Sequence, residues 1–331
     1  MSVPRILAVT SLGAAALLAV AGCSAEKPAE QKTPAASSVT VEDNNGTHTI
    51  ATPPKSVVAT DNRTFQLLSD WGVELSAASV ALMPESNPYK KNKDIVDLGL
   101  HTEPNLEAVV AVEPDVIVNG QRFTQHHDKF AELVPDAAVL ELDPRDGKPF
   151  DQELIRQVTV LGEVFGKQAE AKKLVDDFEA SIDRAKKAYN SSDKVMALIT
   201  SGGEIGYVAP VSGRTLGPVF DILGLTPALE VKDASTDHQG DDISVEAIAK
   251  SNPDWMLVMD RDGSFAEKDR GADYKQAAAV LEGSEALRGV TAVKEKHIVY
   301  MPLDTYLNEG IQTYTTFFNE FADALEKAAE N

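Results

Sequence analysis

One pattern occurs twice in this chain, and it restricts the fold more than any other feature. The first copy reads Asn105-Leu106-Glu107-Ala108-Val109, skips four residues, continues Pro114-Asp115-Val116-Ile117-Val118 and reaches Arg122. The second reads Ser244-Val245-Glu246-Ala247-Ile248, skips four, continues Pro253-Asp254-Trp255-Met256-Leu257 and reaches Arg261. Every landmark is displaced by the same 139 residues, the mark of two similarly built lobes. Asn105 and Ser244 carry the side-chain oxygens of helix N-caps. Glu107 and Glu246 fall in the first turn, where the helix dipole favours a carboxylate. Pro-Asp closes the helical side, and the apolar run after it is a buried strand. Arg122 and Arg261 then lie just past the C-terminal ends of equivalent strands, where open α/β sheets bind ligands. Each lobe is expected to offer one arginine to a shared cleft and one glutamate on an outer helix.

The rest of the chain extends this plan. Val39-Val41 and His48-Ile50 flank Asp43-Asn44-Asn45-Gly46, a hairpin signal. Val57 to Thr60 reads as the first strand of the first lobe, followed by a helix from Arg63 to Trp71 that stops at Gly72. Val80-Ala81-Leu82 reads as another strand, and Ala138-Val139-Leu140 as one more after the first copy of the repeat. Strands that alternate with helices imply mostly parallel sheets. From Phe150 to Tyr189 the apolar residues recur at three- and four-residue steps, with Gly162 and Gly166 dividing the stretch. Its second part, Ala169 to Ala188, predicts one long helix. Val195 to Ile199 opens the second lobe, and a helix from Thr313 to Ala329 ends it. The predicted fold class is α/β, two Rossmann-like lobes joined by one long helix. The lobes are placed at residues 39–168 and 190–331, and the link at 169–189.

The N-terminus reads as targeting rather than fold. Arg5 precedes an apolar stretch from Ile6 to Val20, short for a membrane span and suited to a signal peptide over residues 1–22. Val20-Ala21-Gly22-Cys23 resembles the lipobox of bacterial lipoproteins, which implies lipidation of Cys23, the chain's one cysteine. Residues 23–38 are rich in Ala, Pro, Glu, Lys and Ser and read as a flexible tether. The formal charge is −21, from 52 acids against 31 bases, which argues against a nucleic-acid partner. It also makes arginines gathered in a cleft more telling, since they oppose the general field.

With the tether set aside, the chain resembles the ferric-siderophore solute-binding lipoproteins of ABC importers, the helix-linked group (the class III periplasmic-binding fold) that includes cobalamin- and haem-binding members. The hairpin carries the resemblance, with Glu107 and Pro114-Asp115, Leu161-Gly162-x-x-Phe165-Gly166-Lys167, Glu246 and Pro253-Asp254, and His297-Ile298-Val299-Tyr300. The catecholate branch is similar in further places. Its Ser-Thr-His-Gly reads Ser235-Thr236-Asp237-His238-Gln239 here, with one residue inserted around Asp237. Its Asp-Arg is Asp260-Arg261, and its Trp-Tyr-Leu loop is Thr305-Tyr306-Leu307. Its Gly-Ser-Arg-Phe-Gly turn is Ser212-Gly213-Arg214-Thr215-Leu216-Gly217, with Thr215 in place of an aromatic residue.

The resemblance implies a lipid-anchored, extracytoplasmic, monomeric receptor without catalytic activity or intrinsic cofactor, whose ligand is an Fe(III)-siderophore complex. Arg122, Arg214 and Arg261 would surround the catecholate oxygens, and three guanidiniums would roughly neutralise the trianion of a tris-catecholate. A bis-catecholate leaves two iron positions open, which the resemblance assigns to His238 and Tyr306. Tyr207, after a strand end, is expected to line the pocket. Glu107 and Glu246 would dock on the two permease subunits of an ABC importer. His126-His127 lacks a third ligand at useful spacing; the resemblance places His101 near the cleft, while its own surroundings read as those of a surface residue. The alternatives are a receptor for a hydroxamate or mixed siderophore, haem or cobalamin. A zinc or manganese receptor would need three or four protein ligands that no cluster supplies. An enzyme would need a nucleophile elbow, a phosphate loop or a paired catalytic set, and none is seen.

Overall fold

The structure, a computed structural model, describes residues 37–232 and 234–330. The expected signal peptide, Cys23 and all of the expected tether except Ser37 and Ser38 lie outside the described residues. Those two serines already belong to strand β1 (Ser37–Glu42), which pairs antiparallel with β2 (Thr47–Thr52) around the expected Asp43–Gly46 turn. Asp43 closes that turn by accepting from the backbone N–H groups of Asn45 and Gly46 at 2.7 and 2.8 Å.

The first sheet contains β3 (Val57–Ala59), β4 (Ala77–Ala78), β5 (Val96–Asp97), β6 (Val116–Asn119) and β7 (Ala138–Glu141), all parallel, in the order β5-β4-β3-β6-β7. Helices α1 (Phe65–Asp70), α2 (Leu106–Ala111) and α3 (His127–Leu133) lie between strands. The second sheet is built on β8 (Lys194–Ser201), β9 (Glu204–Val208), β10 (Thr226–Pro227), β11 (Asp241–Asp242), β12 (Trp255–Asp260) and β13 (Ile298–Tyr300). Its β8, β12 and β13 are parallel, whereas β9 runs antiparallel to both β8 and β11. Strands β3, β6 and β7 thus correspond to β8, β12 and β13. Val80–Leu82, expected as a strand, is a 3-10 turn; the strand is Ala77–Ala78 just before it.

Both faces of each sheet are covered, which explains the unbroken apolar runs. Val116 and Val118 join a core shared with the long helices, and Ile117 faces a second core with Phe123 and Phe130. Trp255 and Leu257 face the shared core, and Met256 and Val258 a third one with Tyr207 and Ile248. The shared core is continuous from the first sheet to the second. Helix α4 (Phe150–Val164) ends at Gly166, which takes the left-handed φ of 65° needed to turn the chain. Gly162, expected to divide the helices, is buried inside α4. Helix α5 (Gln168–Ala188) then runs 21 residues, about 31 Å at 1.5 Å per residue. After α6 (Gly217–Leu223), α7 (Val245–Ser251), α8 (Ala277–Gly283) and α9 (Thr291–Lys294), the chain ends in α10 (Ile311–Ala329), which packs on α5. Phe178 stacks on Phe318 at 5.9 Å between ring centres, and Arg184 reaches Asp323 and Glu326.

The repeat has a direct structural meaning. Asn105 and Ser244 cap α2 and α7 by accepting from the N–H groups of Ala108 and Ala247, each at 3.1 Å. The Asp of each Pro-Asp pair then fastens the start of the neighbouring central strand. Asp115 accepts from the N–H groups of Lys55 and Ser56 at 2.6 and 2.9 Å, and Asp254 from that of Lys194 at 2.8 Å. Bonds to a charged acceptor each contribute about 1.5–3 kcal/mol net. Asp115→Ala is therefore expected to lower the unfolding free energy by about 3 kcal/mol, and Asp254→Ala by about half that. Equal losses, or none, in equilibrium urea unfolding would refute this account of the repeat.

Candidate functional site

A cleft of about 690 Å³ opens between the C-terminal ends of the two sheets, with His101, Arg122, Arg214 and His238 in its walls. A narrower recess of about 190 Å³ continues from it, and Arg261, Phe265 and Tyr306 line that part. The topology delivers these residues. Arg122 stands on the 3-10 turn after β6, and Arg261 directly follows β12. Arg214 lies on the turn between β9 and α6, His238 on the loop before β11, and Tyr306 on a 3-10 turn before α10.

Tyr306 is the centre of the arrangement. Its ring is 5 % exposed, and its hydroxyl accepts a hydrogen bond from Arg122 Nη2. The guanidinium carbons of Arg122, Arg214 and Arg261 stand 5.7, 5.4 and 4.7 Å from its ring centre, and Phe265 meets it edge-on at 5.7 Å. Cations over an aromatic face are attracted by its quadrupole. His238 lies across from Tyr306 with ring centres 6.4 Å apart. Burial, reinforced by Arg261 and opposed by Asp237, shifts the His238 imidazole below its ordinary pKa, which favours the neutral ring. A neutral imidazole beside a phenol and three guanidiniums suits an anionic ligand that still has a metal position to fill.

The arginines are not equally free. Arg261 Nη1 bonds Asp262 Oδ1 at 2.5 Å, and Arg214 reaches both Glu309 oxygens at 3.4 Å. Only Arg122 has no carboxylate partner among the described contacts. The expected neutralisation of a trianion by three full charges therefore needs correction, because two of the three are partly offset within the protein. Arg261 Nε and His101 Nδ1 are buried without hydrogen-bond partners among the described residues.

The structure thus brings together Arg122, Arg214, Arg261, His238 and Tyr306. It does not bring Tyr207, which is 1 % exposed in the outer core of the second sheet and donates to the Leu229 carbonyl at 2.6 Å. Residue alternation in β9 turns that side chain away from the cleft, and burial pushes its hydroxyl up to about 12. His101 is in the cleft wall, where the resemblance places it. His126 and His127 point apart, to the His101 carbonyl at 2.7 Å and to Glu141 at 3.2 Å. Among the described residues no group of three or more His, Cys, Asp or Glu is placed to hold a metal. Glu107 and Glu246 are both exposed in the first turns of α2 and α7. Reasoning from sequence missed Glu309 and Asp262. Asp262 directly follows Arg261, a local signal; Glu309 has none, since an acid before a helix is usually solvated.

Two lobes that meet at an arginine-lined cleft, joined by a long helix, are the build of a solute-binding protein. The chain belongs to the periplasmic binding protein family, whose model matches residues 57–305. The petrobactin-binding protein YclQ of Bacillus subtilis is 27 % identical over 290 residues, covering 86 % of each chain. The ferric-anguibactin-binding protein FatB of Vibrio anguillarum is 28 % identical over 249 residues, 74 % of this chain and 76 % of that one. In fold, the periplasmic catecholate-siderophore binding protein VctP from Vibrio cholerae superposes with a TM-score of 0.72 at 22 % identity, over 86 % of this chain and 99 % of that one.

Beneath the Arg122 turn lies a fully buried carboxyl. A Cβ on Gly120 would meet Asp61 Cγ at 2.7 Å, so Gly120→Ala is expected to displace the turn and weaken ligand binding without unfolding the protein. Burial, aided by Asp143 and opposed by Arg63, pushes Asp61 from 3.8 up to about 7. A raised carboxyl pKa stabilises the fold while protonated, so this contribution is full below pH 3.8 and is lost as pH rises through about 7. Asp61→Asn should gain stability over the parent as pH rises across that window, measured by urea unfolding at fixed pH values. A constant difference between the two proteins would refute the assignment.

Proposed function

We propose that the protein is an extracytoplasmic receptor that binds a ferric catecholate siderophore in the inter-lobe cleft and passes it to an ABC permease for iron uptake. The observation that carries this reading is the enclosure of Tyr306 by three guanidiniums, with His238 facing it. Guanidiniums donate in a fork to catecholate oxygens and stack on their rings. Tyr306 and His238 offer a phenolate and an imidazole to iron positions that a bis-catecholate leaves open. Relatives named for petrobactin and ferric anguibactin support the ligand class. In this reading residues 39–168 and 190–331 grip the ligand, and 169–189 hold them at fixed spacing. Cys23 anchors the monomer to the membrane. Glu107 and Glu246, one exposed first-turn carboxylate per lobe, meet basic groups on the two permease subunits.

Isothermal titration of the protein with ferric bis-catecholates tests the reading. Tight binding is expected, weakened by roughly ten- to a hundredfold in Arg122→Ala and in Arg261→Ala, the loss of a charged hydrogen-bonding group. Tight binding to ferric hydroxamates alone would overturn it. Replacing both Glu107 and Glu246 by alanine should abolish iron uptake in cells while leaving the measured affinity intact. Lost affinity in that double variant would sink the docking role.

A further inference from the structure

Glu309 is 1 % exposed and sits where the two lobes meet. Four side chains converge on it. From the second lobe, Arg214 approaches both oxygens at 3.4 Å and Thr215 Oγ1 donates at 2.6 Å. From the first, Gln121 Nε2 donates at 3.0 Å and Arg63 Nη2 stands at 3.6 Å. Burial would raise its pKa, but Arg214, Arg63 and the Thr215 bond outweigh burial and hold the carboxyl below the usual range, so it is ionised.

Two of those donors are unusual in their backbone. Gln121 has φ 54° and Thr215 has φ 65°, the left-handed region that residues with a Cβ rarely adopt. Gln121 immediately precedes Arg122, and Thr215 immediately follows Arg214. The strained turns that aim two cleft arginines, one from each lobe, are therefore tied to the same carboxylate. Asp143 helps on one side, accepting from Gln121 N–H at 2.7 Å and Arg63 Nη1 at 2.8 Å. Thr215 stands at the turn position where the catecholate branch carries an aromatic residue, and its hydroxyl supplies the bond to Glu309.

We propose that Glu309 is a positioning and specificity-determining residue: it holds the Arg122 and Arg214 turns together across the lobes and, by offsetting one positive charge, tunes the cleft toward iron complexes of low negative charge. This rests on the receptor reading above. An iron complex of a tetradentate bis-catecholamide carries one negative charge, and that of a tris-catecholamide carries three. Removing the Glu309 charge favours the trianion, and removing the Arg63 charge disfavours it.

The test measures both complexes by isothermal titration on the parent, Glu309→Gln and Arg63→Gln. Glu309→Gln is expected to shift the ratio of affinities toward the trianion by on the order of tenfold, and Arg63→Gln to shift it the other way. A purely structural role would lower both affinities together and leave the ratio unchanged, which overturns the proposal. If Glu309→Gln fails to fold, Arg63→Gln alone decides: a shift toward the monoanion supports the proposal and an unchanged ratio overturns it. A parent protein that binds neither complex overturns the receptor reading as well, so the two failures are distinct.

Discussion

The packing of α10 on α5 is the constraint on which the rest depends. Helix α5 leaves the first lobe and α10 returns from the end of the second, so their apolar seam ties both sheets into one core. Phe178, Phe318 and Tyr314 fill it, and aromatic pairs in offset or edge contact add about 1 kcal/mol each beyond their buried area. Because that seam crosses from one lobe to the other, packed side chains join the two sheets beneath their strand-end surfaces. Interiors of this density do not deform smoothly.

Within that frame the electrostatics are local. The chain is strongly acidic, yet Arg122, Arg214 and Arg261 gather around one tyrosine. Like charges at such spacing repel, and the repulsion is reduced by Asp262 and Glu309. A buried carboxylate between arginines is costly to strip of water and worthwhile only where its partners are well placed. Here its partners are the turns that present the arginines, so the same contact serves stability and aim.

Much of the fold was legible in the chain because it rests on local rules. The repeat predicted paired caps, paired strands and paired arginines, and each pair stands in equivalent places. The long helix was read to within one residue of its start. The errors are equally local in cause. Val80–Leu82 is apolar enough for a strand, but the strand pairing is already met by Ala77–Ala78. Tyr207 follows a strand pattern correctly read, yet alternation along β9 decides which face it takes. His101 stands in the cleft wall, where the resemblance put it, although the chain around it marks only a surface residue.

By itself the sequence determined what depends on neighbours in the chain: element type from periodicity, caps from Asn105 and Ser244, the clasping aspartates after each proline, and the position of Arg122 and Arg261 at strand ends. Only the tertiary structure decided what depends on residues far apart. Arg122 meets Tyr306 across 184 positions, and Glu309 meets Gln121 across 188. Those contacts exist because the helical spine sets the distance between two sheets, and no periodicity within either segment encodes that distance. Which arginine keeps its charge for a ligand, and which spends part of it on a buried acid, is decided there.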